Sequence, residues 1–270
     1  MTHQDFEFIG KLLQENCGVV LEAGKEYLVK ARLGALLQEL KLDSIADLVI
    51  CLRQRQSQHL LTRIVEAMVT TETFFFRDHH PFEALHKSVL PELIERRRDK
   101  RRLNIWCAAA STGQEPYSVA MLLHDHFPEL STWQVRLLGT DISDEMLTRC
   151  REAVYSQAEV NRGLPAKLLV KHFRQEGNVW RLNHDIRRMV EFQPLNLAQG
   201  WPPFPKWDLV LLRNVMIYFA EETKKAILGR LAHVLQPDGY LLLGSAETTF
   251  FLDKTYRRVE HHKTGFYQGM

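Results

Sequence analysis

The feature that most constrains this chain is a change in the period of its apolar residues near Arg102. Before that point they recur at helical spacing: Phe8, Leu12 and Leu13, then Leu28, Leu33, Leu36, Leu37 and Leu40, then Leu48, Leu52, Leu60, Leu61, Ile64 and Met68. Beyond it, short apolar runs at 103–107, 135–140, 190–194, 209–212 and 240–244 alternate with amphipathic segments at 115–126, 145–152 and 221–234. Parallel strands need crossovers of that kind, so the second part reads as a doubly wound α/β sheet and the first as a small helical bundle. Gly18 and the Leu42-Asp43-Ser44 step interrupt the helical pattern as stop and cap signals, with Ser44 capping a helix that opens at Ile45. The expected division is a helical domain over 1–70, a linking segment over 71–102 and an α/β domain over 103–270. One stretch breaks the alternation: Gly177-Asn178, set between Phe173-Arg174 and Val179-Trp180, predicts an antiparallel hairpin in a β insert at about 156–190. The turn at Pro237-Asp238-Gly239 precedes the last core strand.

Composition removes several function classes. With 270 residues, 45% of them hydrophobic, the chain fills a sizeable core, and a formal charge of +2 gives no global attraction to a polyanion. No run approaches the roughly 18 apolar residues of a membrane span, and the opening Met1-Thr-His-Gln-Asp-Phe lacks the order of a signal peptide. A cytoplasmic protein without membrane insertion is expected. Cys17, Cys51, Cys107 and Cys150 are scattered, which predicts reduced thiols rather than a zinc site. His79-His80, His124, His126 and His261-His262 come without a matching cysteine or carboxylate pattern, so no metal is expected.

The most informative local pattern is the run from Asn104-Ile105-Trp106 through Cys107-Ala108-Ala109-Ala110-Ser111-Thr112-Gly113 into Gln114-Glu115-Pro116. A strand, a turn of small residues and a helix start allow a ligand to approach the backbone at the C-terminal edge of a parallel sheet; a tight turn with no ligand is the plainer alternative. The loop lacks the three-glycine spacing of a dinucleotide site, and Glu115 at the helix start would repel a pyrophosphate. A cationic ligand such as S-adenosylmethionine suits it better. At the end of the second strand Asp141 is placed either to accept hydrogen bonds from ribose hydroxyls or to cap the helix near Asp144.

Four stretches taken together resemble one family: 69–78 (Val-Thr-Thr-Glu-Thr-Phe-Phe-Phe-Arg-Asp), 106–118, 213–219 (Arg-Asn-Val-Met-Ile-Tyr-Phe) and 235–239. The chain resembles CheR-type chemoreceptor glutamate methyltransferases over nearly its whole length. The resemblance implies an S-adenosylmethionine-dependent methyltransferase (Rossmann-like) domain with a small antiparallel β insert, preceded by an all-α N-terminal domain. It further implies S-adenosylmethionine as donor, S-adenosylhomocysteine as product, and glutamates on the cytoplasmic helices of methyl-accepting chemotaxis receptors as acceptors. Donor contacts carry over to Thr71, Thr73, Arg77, Ala108, Glu115, Asp141, Asn196, Leu197, Arg213 and Asn214. Thr71 stands where the family pattern has asparagine, and Leu197 serves equally as core packing. The insert segment 174–180 is shorter than the hairpin that docks a receptor tail in the family, so no C-terminal receptor-peptide tether is expected.

The chemistry asks little of the protein in acid or base. A glutamate with an ordinary pKa near 4.3 is already an anion at neutral pH, and its attack on a methylsulfonium neutralises both charges, which leaves alignment as the main catalytic device. Tyr218 is the candidate for aligning the methyl group, its alternative being a half-buried aromatic beside Phe219. Arg98, in the run Glu95-Arg-Arg-Arg98-Asp, is the candidate for orienting the carboxylate, against a solvated basic linker. Arg53, Arg55 and Arg63 are candidates for meeting the acidic face of a receptor helix. Two other functions are distinguishable: a nucleic-acid methyltransferase, for which Arg213-Asn214-Val215 lacks the clamp for an amino group, and an S-adenosylmethionine-binding regulatory module without turnover.

Overall fold

The computed structural model describes residues 1–54 and 57–270 and divides into two compact units. The first comprises Met1–Thr70, Asn196–Gly200 and Tyr218–Ile227; the second comprises Thr71–Leu195, Trp201–Ile217 and Leu228–Met270.

The first unit is built on helices α1 (His3–Cys17), α2 (Glu26–Leu40), α3 (Ile45–Gln54) and α4 (Gln58–Met68). Their ends follow local chemistry. Thr2 and Asp5 form a reciprocal capping box at the start of α1, and Gly18, at φ 73°, closes it in the left-handed conformation. Ser44 accepts the Asp47 N–H at 3.2 Å ahead of α3, and the Ser57 side chain caps α4. Of the residues at helical spacing, Leu13, Leu33, Leu48 and Ile64 are fully buried, whereas Phe8 and Leu28 are half-buried and Leu40 is exposed; Ile9 and Val29, outside that pattern, complete the buried set.

The second unit holds a sheet of seven strands among the described residues, ordered β6-β2-β1-β7-β8-β10-β9. Ahead of the first strand lie α5 (His80–Ala84), a π-helical turn (Leu85–Val89) and α6 (Leu90–Arg97). There follow β1 (Arg102–Ala108), α7 (Gln114–His126), β2 (Gln134–Asp141) and α8 (Asp144–Glu152). The insert consists of β3 (Val154–Ser156), α9 (Gln157–Asn161), α10 (Ala166–His172), β4 (Phe173–Glu176), β5 (Val179–Leu182) and α11 (His184–Arg187). The sheet resumes with β6 (Val190–Pro194) and β7 (Trp207–Leu212), then, after α12 (Glu221–Val234), whose residues up to Ile227 count with the first unit, β8 (Leu235–Leu243), β9 (Tyr256–His261) and β10 (Thr264–Gly269). β6, β2, β1, β7 and β8 are parallel; β10 and β9 add an antiparallel edge. The chain steps outward from β1 to β2 and β6, then returns to the other side of β1 for β7 and β8. That reversal creates a crevice at the C-terminal ends of β1 and β7, where open α/β sheets take their ligands.

The insert and the last parallel strand differ from the sequence expectation, and β9 and β10 were not expected at all. The insert is a three-stranded sheet, β3-β5-β4, because Tyr155 pairs with Trp180 and adds a strand the hairpin pattern did not reveal. Pro237-Asp238-Gly239 does not precede β8 but bulges within it, since Trp207 faces Leu235 while Leu209 faces Tyr240. The bulge is held by Arg97, 7% exposed, whose guanidinium binds Asp208 at 2.6 Å and both carboxylate oxygens of Asp238 at 2.8 and 2.5 Å. The turn at Gly177-Asn178 forms as expected between β4 and β5, with Gly177 at φ 61°.

Candidate functional site

The candidate site lies at the C-terminal edge of the parallel strands in the second unit. β1 ends at the fully buried Ala108, and the loop that follows turns sharply: Ala109, Ser111 and Gly113 take φ of 58°, 51° and 92°. Two of these are non-glycine residues in the left-handed region, a strain that surrounding bonds must sustain. Ala110 donates its N–H to the Thr140 carbonyl at 2.8 Å, Ser111 donates its N–H to Asp141 Oδ2 at 2.7 Å, and Tyr155 donates its hydroxyl to the Thr112 carbonyl at 2.9 Å.

Asp141 therefore ties the loop after β1 to the loop after β2, accepting also from the Ser143 N–H at 3.0 Å. It is not the cap of α8; Ser143 is, through its side chain and the Met146 N–H.

Arg213 follows β7 and is the charged centre of the edge, its side chain 1% exposed. Nη1 donates to Glu115 Oε2 at 2.8 Å, and Nη2 donates to Asp78 Oδ2 at 2.7 Å and to the Arg77 carbonyl at 3.0 Å. Burial pushes the Glu115 carboxyl up, and the Arg213 guanidinium opposes that shift. The segment preceding Asp78 is fastened at three places: Ser111 Oγ donates to the Thr71 carbonyl at 2.6 Å, Phe76 N–H to Ser118 Oγ at 2.9 Å, and Arg213 to Arg77 and Asp78. Phe75 anchors its middle, fully buried edge-on against Tyr155 and Phe173 at 5.0 and 5.6 Å. Gly163, at φ 83°, is required there, because a Cβ would stand 2.1 Å from the Phe75 carbonyl.

Two buried polar atoms of this edge have no hydrogen-bond partner: the Arg213 Nε–H donor and the Asn214 Oδ1 acceptor. Such atoms are costly in a finished core and expected in a ligand site. Beside them Glu247, 9% exposed, gathers the N–H groups of Asn214, Val215, Met216 and Gly244 at 2.7–2.9 Å and of Ile217 at 3.3 Å. Asn214 takes φ 57° within this turn. Gly244 permits the approach, since a Cβ there would fall 2.7 Å from both Asn214 Nδ2 and Glu247 Oε2. Sequence reasoning missed Glu247, and also Ser111 and Ser118 as fasteners. A glutamate in a small-residue loop after the last apolar run was the available signal.

Of the residues picked from the sequence, Thr71, Thr73, Arg77, Ala108, Glu115, Asp141, Arg213 and Asn214 belong to this unit. Thr71 reaches the loop through its carbonyl, while its side chain is exposed. Thr73 is half-buried, and Arg77 lies over the Phe74 ring at 5.5 Å with Nη1 on the Glu72 carbonyl. Arg98 is not part of the site. It follows α6, four residues before β1 begins, at the opposite edge of the sheet, and its exposed guanidinium pairs with Glu95 at 2.7 Å. The basic run leads into β1, so its charges gather where the strand starts rather than where it ends.

Asn196, Leu197 and Tyr218 belong to the first unit. The Asn196 amide donates to the Asn16 carbonyl at 2.6 Å and its Oδ1 accepts the Ala198 N–H at 3.0 Å; Leu197 is 7% exposed. Tyr218 is half-buried, and its carbonyl accepts the Val20 N–H at 2.9 Å. Arg53 lies over the Phe8 ring at 4.9 Å and Arg63 pairs with Glu39; Arg55 lies outside the described residues.

The histidines are less isolated than the sequence suggested. Asp125 receives His124 Nδ1 and His172 Nε2 at 3.0 Å each and Lys171 Nζ at 2.7 Å, and Glu83 stands with His79 and His80. Asp125 directly follows His124 and Glu83 lies three residues beyond His80, so of these rings only His172 is brought in from a distant part of the chain. A cavity of about 290 Å³ opens at the C-terminal half of α7, between Phe76, Phe82, His86, Met121, His126 and Leu168, whereas the candidate site lies at the start of that helix.

A doubly wound sheet with a buried carboxylate–guanidinium pair and unsatisfied polar atoms at its switch point defines a ligand-binding α/β domain. Comparison with known proteins makes this specific. Residues 71–265 match the CheR methyltransferase SAM-binding domain, and residues 4–69 match the CheR methyltransferase all-alpha domain. Chemotaxis protein methyltransferase 1 of Pseudomonas aeruginosa is 40% identical over 264 residues, covering 96% of this chain and 95% of that one. Chemotaxis protein methyltransferase Cher2 of Pseudomonas putida is 38% identical, covering 95% and 94%, and the chemotaxis protein methyltransferase of Vibrio parahaemolyticus is 36% identical, covering 96% and 94%. The chain belongs to the CheR methyltransferase family and is an S-adenosylmethionine-dependent methyltransferase. No helix among the described residues is long and apolar enough to cross a membrane.

Proposed function

We propose that this enzyme transfers a methyl group from S-adenosylmethionine to glutamate side chains on the cytoplasmic helices of chemoreceptors. The observation that carries the reading is the charged, unsatisfied edge around Arg213. The Arg213 Nε–H, a buried donor, suits the carboxylate of the cofactor's amino-acid part, and Asn214 Oδ1, a buried acceptor, suits its ammonium. Asp141, a carboxylate at the end of β2 that ties the two loops of this edge together, suits the ribose hydroxyls. When bound, the cofactor supplies an electrophilic methyl group.

The protein's own part is to align and to exclude water. The acceptor needs no base, and holding the reactants in line supplies up to roughly 7–11 kcal/mol of the barrier. We assign the orienting of the acceptor carboxylate to Arg77, whose charge acts on Glu115 and whose carbonyl is held by Arg213, rather than to Arg98. Tyr218, one peptide bond beyond Ile217, keeps the role of aligning the methyl group. The insert turns from β4 to β5 through Gly177-Asn178 alone, which supports recognition without a receptor-tail tether; binding of an isolated tail peptide would overturn that point.

The test is incubation with methyl-labelled donor and receptor-rich membranes, followed by mild base. Release of labelled methanol from a receptor band supports carboxyl methylation. Donor binding without label transfer favours the regulatory-module reading instead.

A further inference from the structure

The loop between β8 and β9 places two phenyl rings in solvent: Phe250 is 69% exposed and Phe251 91%. Their rings lie edge to face at 4.3 Å, and Phe251 takes φ 65°, a conformation that a bulky side chain adopts only under constraint. The loop around them is tightly bonded. Thr249 is 3% exposed and its carbonyl accepts the N–H groups of Leu252 and Asp253 at 3.0 and 3.1 Å. Phe250 donates its N–H to Thr248 Oγ1 at 3.0 Å, and Asp253 accepts from the Thr255 N–H and hydroxyl at 2.8 and 2.6 Å. Three residues before Phe250, Glu247 locks the same loop to the turn at 214–217, in which Ile217 is 46% exposed. An ordered loop that holds an aromatic pair in water beside a reactive edge has the character of a recognition element.

We propose that Phe250 and Phe251 dock the acceptor, seating against the apolar stripe of the helix that carries the target glutamates; this rests on the function proposed above. Continuity with the site argues for that occupant, because Glu247 bonds both the loop root and the turn that leads to Tyr218. Charge argues the same way: Lys254, exposed, follows the phenyl pair directly and suits a glutamate-bearing helix, and beyond it the exposed Arg257 and Arg258 project from opposite faces of β9, Arg257 bonding Gln268 at 3.0 Å. Recognition is thus divided between an aromatic anchor and a basic flank, as in interfaces where a few aromatic residues dominate.

The experiment compares initial methylation rates of receptor-rich membranes by the wild type, Phe251→Ser, and Phe250→Ser with Phe251→Ser, alongside donor affinity by calorimetry. Expected are a rise in acceptor KM of about tenfold or more for the double variant, a smaller rise for Phe251→Ser, and unchanged donor Kd and kcat. The single variant alters a side chain that is 91% exposed and whose ring contact is with Phe250, so it keeps the test valid if the double variant folds poorly. An unchanged acceptor KM in Phe251→Ser overturns the proposal, as does loss of a self-associated form without a change in KM, which would assign the pair to a second copy. A wild type that labels no receptor refutes the underlying function instead, so the two failures are separable.

Discussion

Replacing Glu247 by Ala removes the acceptor for five backbone N–H groups at once. The donors of Met216 and Gly244 are buried, while those of Asn214, Val215 and Ile217 are partly accessible and can turn to water. An unsatisfied buried donor costs about 1–3 kcal/mol, so the two buried groups alone set a loss of roughly 2–6 kcal/mol. Glu247→Gln keeps one acceptor oxygen and brings an amide donor toward N–H groups, so it should lose about half as much. Urea unfolding followed by tryptophan fluorescence measures the loss, and calorimetry measures the donor. The turn holds Asn214 at φ 57°, and its relaxation should weaken donor binding at least about tenfold in the Ala variant. An Ala variant within about 1 kcal/mol of wild type with unchanged donor affinity would refute the reasoning, since it would mean that the turn holds its shape without the carboxylate.

Arg213→Lys keeps the charge but cannot reach Glu115, Asp78 and the Arg77 carbonyl together; stability should fall by about 3 kcal/mol because Glu115 stays buried with a poorer partner, and chemical denaturation with donor titration checks both losses. At Asp125 burial opposes ionisation, but Lys171, His124 and His172 outweigh it and hold the carboxyl well below its usual range. The folded pKa is therefore depressed: the stabilisation is complete above the unfolded value of about 4 and is lost as pH falls toward the folded one. The stability gap between wild type and Asp125→Asn should be full at pH 7 and shrink below about pH 4, which denaturation midpoints across that range will show.

The sequence carried the central parallel strands because burial on both faces writes apolar runs that need no partner to be seen: β7 is buried throughout and contains the run at 209–212. The edge strand β6 at Val190–Pro194, buried only at Val190, and α12 at Glu221–Val234 also lie where the pattern put them. It missed β9 and β10, whose alternation is diluted by Arg257, Arg258 and a run of histidine and lysine at 261–263. β3 escaped because three residues carry no period. At the site, Glu115, Asp141 and Arg213 were legible since each closes or follows a strand at one sheet edge. Arg98 lies ahead of β1, because a charge run announces itself without saying which end of the next strand it adjoins, and Glu247 was passed over because four of its five backbone partners lie about thirty residues away and only Gly244 is near in sequence.

The central claim is carboxyl methylation of receptor glutamates, and mass spectrometry of receptor peptides tests it most directly. After incubation with enzyme and S-adenosylmethionine, the account predicts a one-methyl mass increase on glutamate side chains of the cytoplasmic helices, removed by mild base and absent with Arg213→Ala enzyme. A base-stable methyl on lysine, arginine or nucleic acid, or no methyl despite tight donor binding, would contradict it.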